Sequence, residues 1–175
     1  MQKIKYILVF IFVLSLCKYS FSQKGFEFTD DSYKFKITFS EGWQKPKTEE
    51  TDNKDVKSYN FSKKNDSSNT IMILAFKFQT IKKLDDFIYV LEKDASLNIP
   101  PKSGDFASMD AGNYEYKSVM YKDKNFTELI YYYVTKVEKA EENYAYMIRL
   151  ISSKYNTKIE NSFKDIVNSF KPQIQ

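Results

Sequence analysis

Phe126-Thr-Glu-Leu-Ile-Tyr-Tyr-Tyr-Val-Thr-Lys-Val137 and, beyond a short polar link at 138–142, Asn143-Tyr-Ala-Tyr-Met-Ile-Arg-Leu-Ile-Ser152 are the stretches that decide the fold. Neighbouring side chains on an extended strand point to opposite faces. In the first stretch Leu129, Tyr131 and Tyr133 therefore share one face, and Ile130, Tyr132 and Val134 share the other. In the second, Tyr144, Tyr146, Ile148 and Leu150 oppose Ala145, Met147 and Ile151. Strands that are apolar on both faces need cover on both faces. Short polar links such as 138–142 and Lys122-Asp-Lys-Asn125 favour antiparallel neighbours, so Asn113–Tyr121 joins these two strands as a meander.

Working toward the N-terminus, Ile71–Phe78 is again apolar on both faces, which predicts a third central strand. Val56–Lys63 alternates more loosely around Tyr59 and Phe61, and Tyr33–Phe39 alternates cleanly, with Tyr33, Phe35, Ile37 and Phe39 against Lys34, Lys36 and Thr38. Gly25–Thr29 is read as a strand joined to it by a turn at Asp30-Asp31-Ser32. Residues 44–55 are read as an exposed loop, Lys64–Asn69 as a turn, and one short strand is expected around Phe106–Met109.

The period changes twice. Leu84, Phe87, Ile88, Leu91 and Ala95 form one helical stripe over Leu84–Leu97, before Pro100-Pro101. Ile159, Phe163, Ile166, Val167 and Phe170 form another over Asn156–Phe170, closed by Pro172. Both-face strands with two amphipathic helices far apart in sequence predict an α+β fold. The architecture expected is a three-layer α/β/α sandwich with a mainly antiparallel central sheet and one helix on each side. An open sheet with both helices on one face is the alternative.

The N-terminus adds an expectation about location. Lys3 and Lys5 precede an apolar run from Ile7 to Leu16, and Ser20-Phe21-Ser22 places small residues where a signal peptidase reads. Residues 1–22 are therefore read as a cleavable secretory signal, and 23–175 as a single exported domain, periplasmic or secreted. The run is shorter than the ~20 apolar residues a membrane-spanning helix needs, so no integral span is expected after cleavage. Leu16 is the wrong residue before Cys17 for lipidation.

Cleavage would take away Lys3, Lys5 and Lys18 and no acid, leaving 24 of the 27 basic residues against 23 acidic ones and a formal charge of +1. It would also remove the one cysteine, and the chain has no histidine. That excludes Ser-His-Asp and Cys-His catalysis and the common His/Cys zinc sites. With Arg149 the sole arginine, bidentate reading of bases and phosphates is nearly excluded, so no nucleic-acid partner is expected.

Two quoted segments carry a resemblance. Tyr33-Lys-Phe-Lys-Ile-Thr-Phe-Ser-Glu-Gly-Trp43 resembles the opening strand and Gly-Trp turn of the Mog1/PsbP-like superfamily, including bacterial PsbP-related domains, and departs from it at Ser40, where members commonly carry Pro. Phe163-Lys-Asp-Ile-Val-Asn-Ser-Phe-Lys171 resembles the same group's closing helix. Members include a regulator of a small nuclear GTPase and an extrinsic subunit of photosystem II. The resemblance implies an α/β/α sandwich used as a noncatalytic binding or assembly module.

No catalytic, cofactor or metal residue is assigned. The candidate ligand or partner surface is the tyrosine group Tyr114, Tyr116, Tyr131, Tyr133, Tyr144 and Tyr146, with cross-strand packing as the competing reading. Trp43 is read as a structural anchor of the turn. Asp30-Asp31, Asp85-Asp86 and Glu141-Glu142 are weighed as calcium or acid/base pairs and set aside, since adjacent strand residues diverge and Asp85-Asp86 suits the first turn of a helix. Lys63-Lys64 and Lys82-Lys83 read as solvated surface, and Asn60, Asn65 and Asn125 open sequons. The function expected is an exported accessory of a cell-envelope complex with a protein partner. A lipid or sugar carrier with a Tyr-lined cleft is the alternative, and a carboxylate-only hydrolase lacks any motif.

Overall fold

The computed structural model describes residues 25–78, 83–136 and 143–173. The expected signal segment, Cys17, Lys82, the 138–142 link and Glu141-Glu142 lie outside the described residues. Ten strands are described: β1 (Phe26–Asp30), β2 (Phe35–Phe39), β3 (Lys47–Glu50), β4 (Val56–Lys63), β5 (Asp66–Phe78), β6 (Ala107–Asp110), β7 (Tyr114–Lys122), β8 (Thr127–Thr135), β9 (Asn143–Ser152) and β10 (Lys171–Pro172). Two helices, α1 (Leu84–Lys93) and α2 (Thr157–Asn168), complete the set with a 3-10 turn at Ala95–Leu97.

Seven strands form one antiparallel sheet in the order β3-β4-β5-β9-β8-β7-β6. Its centre, β5-β9-β8, is made of the segments that are apolar on both faces, as burial on both sides requires. One face carries Leu74, Phe76, Ile130, Tyr132, Val134 and Met147 under Leu84, Phe87, Ile88 and Leu91 of α1. The other carries Ile71, Ile73, Tyr146, Ile148 and Leu150 under Phe163, Ile166 and Val167 of α2. The helices thus sit on opposite sides, in the three-layer arrangement expected. A small second sheet, β1-β2-β10, shares the α2 layer: Phe35, Ile37 and Phe39 of β2 belong to the same core.

Several boundaries depart from expectation for local reasons. The expected loop 44–55 contains β3, whose four residues are all exposed and pair with β4. The turn expected at Lys64–Asn69 is confined to Lys64-Asn65, with Asn65 at φ 61°, and β5 starts at Asp66. Helix α1 stops at Lys93 and not at Leu97 because Asp94 caps the next turn. Its carboxylate accepts from Ser96 N at 2.9 Å and Ser96 Oγ at 2.6 Å. Asn156 stands outside α2 as its N-cap, Oδ1 accepting from Ile159 N at 3.1 Å. Strand β10, pairing with Lys36 and Phe35 of β2, was not expected.

Polar pins hold α1 on its face. Arg149, on β9, donates Nε and Nη2 to Glu128 of β8 at 2.8 and 2.9 Å, and Nη1 to the Leu97 carbonyl at 2.7 Å. The pair is almost fully buried, with side chains 7% and 5% exposed. Tyr121 Oη donates to Glu92 of α1 at 2.6 Å and lies 3.0 Å from Tyr132 Oη.

Candidate functional site

Register places all six candidate tyrosines on one face of the large sheet. Tyr116 of β7 lies opposite Tyr133 of β8, which lies opposite Tyr146 of β9, while Tyr131 is opposite Ile148 and Tyr114 opposite Thr135. This is the face that α2 and the small sheet cover. Burial on this face falls from β8 to β7, whose Tyr114 and Tyr116 pack against the edge of this core. The group therefore divides. Tyr133 and Tyr146 are core, their rings 4.8 and 5.1 Å from that of Phe170, and Tyr146 Oη donates to the Tyr33 carbonyl at 2.8 Å. Tyr131 is also buried, and Tyr114, Tyr116 and Tyr144 are half-buried. Tyr132, the middle residue of the tyrosine triplet, faces α1 instead.

The outer members form a continuous strip. Tyr116 packs against Tyr131 at 5.8 Å and Tyr133 at 5.0 Å, and Tyr114 against Tyr133 at 6.0 Å. Met109 of β6 lies opposite Tyr116 in the register and extends the strip outward, 55% exposed. Sequence reasoning missed Met109, since a four-residue exposed strand offers no alternation from which to read its facing. Beyond β6 no strand pairs among the described residues, so the strip ends at an open sheet edge. Charges line the same strands on the opposite face: Lys136 Nζ lies 2.7 Å from Asp110 and 3.4 Å from Glu115, and Lys117 pairs with Asp85 of α1.

Burial pushes the phenols of Tyr131, Tyr133 and Tyr146 upward, so the inner part of the strip stays uncharged. A phenol with a raised pKa is a poorer acid and stays protonated at neutral pH, so the group suits contact better than proton transfer.

The remaining candidates have structural surroundings. Asp30 is saturated: Oδ1 accepts from the backbone of Ser32 and Tyr33, both at 2.9 Å, and Oδ2 from Tyr59 Oη at 2.7 Å and Lys57 Nζ at 3.1 Å. Asp85 and Asp86 lie in the first turn of α1. Among the described residues no three metal-ligating side chains converge. Trp43 is buried after Gly42, whose φ is 89°, with its ring 5.7 Å from Phe39 and Lys63 Nζ over its face at 5.5 Å. No described helix is long and apolar enough to cross a membrane.

No family model and no curated protein matches the chain in sequence. Solved structures do match in fold. The Saccharomyces cerevisiae Ran-binding protein Mog1p superposes with a TM-score of 0.51 at 11% identity, over 85% of this chain and 95% of that one. A Bacteroides thetaiotaomicron protein superposes at 0.50 with 14% identity over 87% of this chain, which spans about half (50%) of that longer protein. LpqN of Mycobacterium tuberculosis, involved in cell envelope biogenesis, gives 0.44 at 12% identity over 84% of each chain. The chain has the Mog1/PsbP-like fold.

Proposed function

With a Mog1/PsbP-like fold as the premise, we propose that this protein is an exported, noncatalytic binding module that docks a protein of the cell envelope through the strip Met109–Tyr116–Tyr114. The observation that carries the reading is the division of the tyrosine group. Its inner members are core, which makes the strip rigid, and Tyr114 and Tyr116, beside exposed Met109, are half-buried next to a sheet edge. Aromatic and methionine side chains on a rigid support are the composition of a protein interface centre. The absence of histidine and, after cleavage, of cysteine agrees with a noncatalytic role. Mog1p, of the same fold, is a Ran-binding protein. A carrier with a tyrosine-lined cleft is the less favoured reading, because the contact of Tyr133 with Phe170 at 4.8 Å fills the space such a cleft would occupy.

The test is site-specific photocrosslinking in intact cell envelopes. A crosslinker at Met109 is expected to capture one protein reproducibly, while one at Glu49, on the opposite sheet edge, captures none. Tyr116→Ala is expected to weaken that complex by about 2 kcal/mol or more, roughly thirtyfold, if Tyr116 anchors it. Equal capture from both edges would sink the proposal, as would a lipid or sugar retained by the purified protein in native mass spectrometry with no protein partner.

A further inference from the structure

Strand β6 is one free edge of the seven-stranded sheet, and its register shows which backbone groups it leaves open. Ala111 N donates to the Tyr114 carbonyl at 2.9 Å, and in an antiparallel ladder hydrogen-bonded pairs alternate with non-bonded ones. Counting back along the register, Met109 bonds to Tyr116 and Ala107 to Ser118. The N–H and C=O groups of Ser108 and Asp110 therefore point away from β7, and no described residue bonds to them.

Natural sheets guard such edges with lysine, proline and clustered charge. The other edge, β3, is guarded: Pro46 precedes it, and Lys47, Glu49 and Glu50 lie in it. Ala107-Ser-Met-Asp110 has no lysine or proline, and with Ala111 it reads almost the same in both directions about Met109. Such a segment can pair antiparallel with itself across a two-fold axis. An axis at Met109 sets Ser108 of each copy opposite Asp110 of the other, and Ala107 opposite Ala111. These are the residues whose backbone groups face out, so each Ser108–Asp110 pair exchanges both of its backbone bonds.

Side chains match in the same register. The Ser108 hydroxyl faces the Asp110 carboxylate of the other copy, which has acceptor capacity left beyond Gly112 N at 2.9 Å and Lys136 Nζ at 2.7 Å. On the opposite face Met109 meets Met109, each beside its own Tyr116. No like charges stand directly opposite. An axis at Ser108 would instead set Asp110 opposite Phe106 and lose the hydroxyl contact.

We propose that the protein pairs with a second copy of itself through β6 in this register, joining two seven-stranded sheets into one across a two-fold axis. The guarded β3 edges stop growth at two copies. The seam is short, so the pair belongs to the weak, concentration-dependent class of interfaces. It uses backbone groups at the edge and leaves Tyr114 and Tyr116 on the sheet face, which doubles the docking strip without resting on its role.

The test uses the full chain with Cys17→Ser, so that one introduced thiol is the only one. Met109→Cys lies on the axis in a non-hydrogen-bonded pair, where Cα atoms approach to about 4.5 Å and a disulfide fits. Mild oxidation is expected to convert most of this variant to a covalent dimer. Ser108→Cys meets its twin only diagonally at about 7–8 Å, beyond disulfide reach, and is expected to stay monomeric. Sedimentation of the natural sequence is expected to show a dimer fraction that rises with concentration. Ser108→Asp, which sets carboxylates opposite each other on both sides of the axis, is expected to weaken the dimer about tenfold with an unchanged melting temperature. Covalent dimer from neither cysteine, equal yields from both, or a monomer at every concentration up to about 1 mM overturns the proposal. A crosslinker at Met109 that captures only a second copy supports this pairing and refutes the docking role. A captured envelope protein without a Met109→Cys dimer does the reverse.

Discussion

Replacing Glu128 by Leu leaves the Arg149 guanidinium in place without its counter-charge. Both side chains are nearly out of solvent, at 7% and 5% exposure, and two charge-assisted hydrogen bonds of 2.8 and 2.9 Å join them. Breaking such a buried pair from one side costs about 3–5 kcal/mol, because the remaining charge is neither hydrated nor paired. Arg149→Met, which strands the carboxylate instead, is expected to cost the same. A domain of this size is stable by only about 5–15 kcal/mol, so either change removes a large share of the total. The double variant Glu128→Leu/Arg149→Met removes both charges and leaves one debt, the Leu97 carbonyl that had accepted Nη1 at 2.7 Å. An unpaired carbonyl costs about 1–3 kcal/mol. The double variant is therefore expected to be no worse than either single one, with a coupling energy of at least about 3 kcal/mol. Urea unfolding followed by the fluorescence of Trp43, the only tryptophan, reads this directly. Single variants should lower the midpoint by about 2 M for a slope near 1–3 kcal/mol per molar. Additive losses in the double variant, or single losses below about 1 kcal/mol, would refute the reasoning.

Gly25→Ala is expected to destabilise by about 1–3 kcal/mol, visible as a lower melting temperature, since a Cβ there would stand 2.3 Å from the Phe39 carbonyl oxygen. Asp30 sets a pH dependence. Burial works against its ionisation, but hydrogen bonds from Tyr33 N–H, Tyr59 and Lys57 outweigh it and hold its pKa below the usual value. A lowered folded-state value means stability that is present above the unfolded carboxyl's pKa, about 3.9, and lost as pH falls through the folded one. Asp30→Asn should flatten that acid limb in melting curves below about pH 4, and an unchanged slope would count against the assignment. N-terminal sequencing of the protein recovered outside the cytoplasm is expected to begin at Gln23; a chain beginning at Met1 would mean the signal reading is wrong.

The parts of the fold that were legible in the sequence are those where burial writes a pattern. Val56–Lys63 and Asn143–Ser152 match β4 and β9 end to end, and the both-face apolar character of Ile71–Phe78 correctly demanded helices on opposite sides. Strand β3 escaped because Lys47-Thr-Glu-Glu50 is exposed on both faces and is held by its ladder with β4, which leaves no mark on composition. The first residues of β5, Asp66-Ser-Ser-Asn-Thr70, escaped for a different reason: they border a groove and are polar like a turn. The tyrosines were found, but their division into buried and half-buried members depends on what packs over each strand, a tertiary fact. Asp66 and Lys158 line one groove although they are far apart in the chain, beyond any local periodicity.

Strand order has a consequence for how the chain is made. Every neighbouring pair in the seven-stranded sheet is also adjacent in sequence, except β5 and β9. Residues 47–78 and 107–152 are thus two locally closing meanders joined along one seam, where Thr70 meets Ile151 and Phe76 meets Ala145. Local hairpins close in microseconds, whereas long-range strand pairing is slow. During synthesis the first meander emerges with the edge of β5, apolar on both faces, unpaired until β9 has left the ribosome. At ribosomal speed that interval is on the order of ten seconds. For that time the nascent chain is a sticky half-sheet, so a holding chaperone will matter more to its yield than the stability of the finished fold.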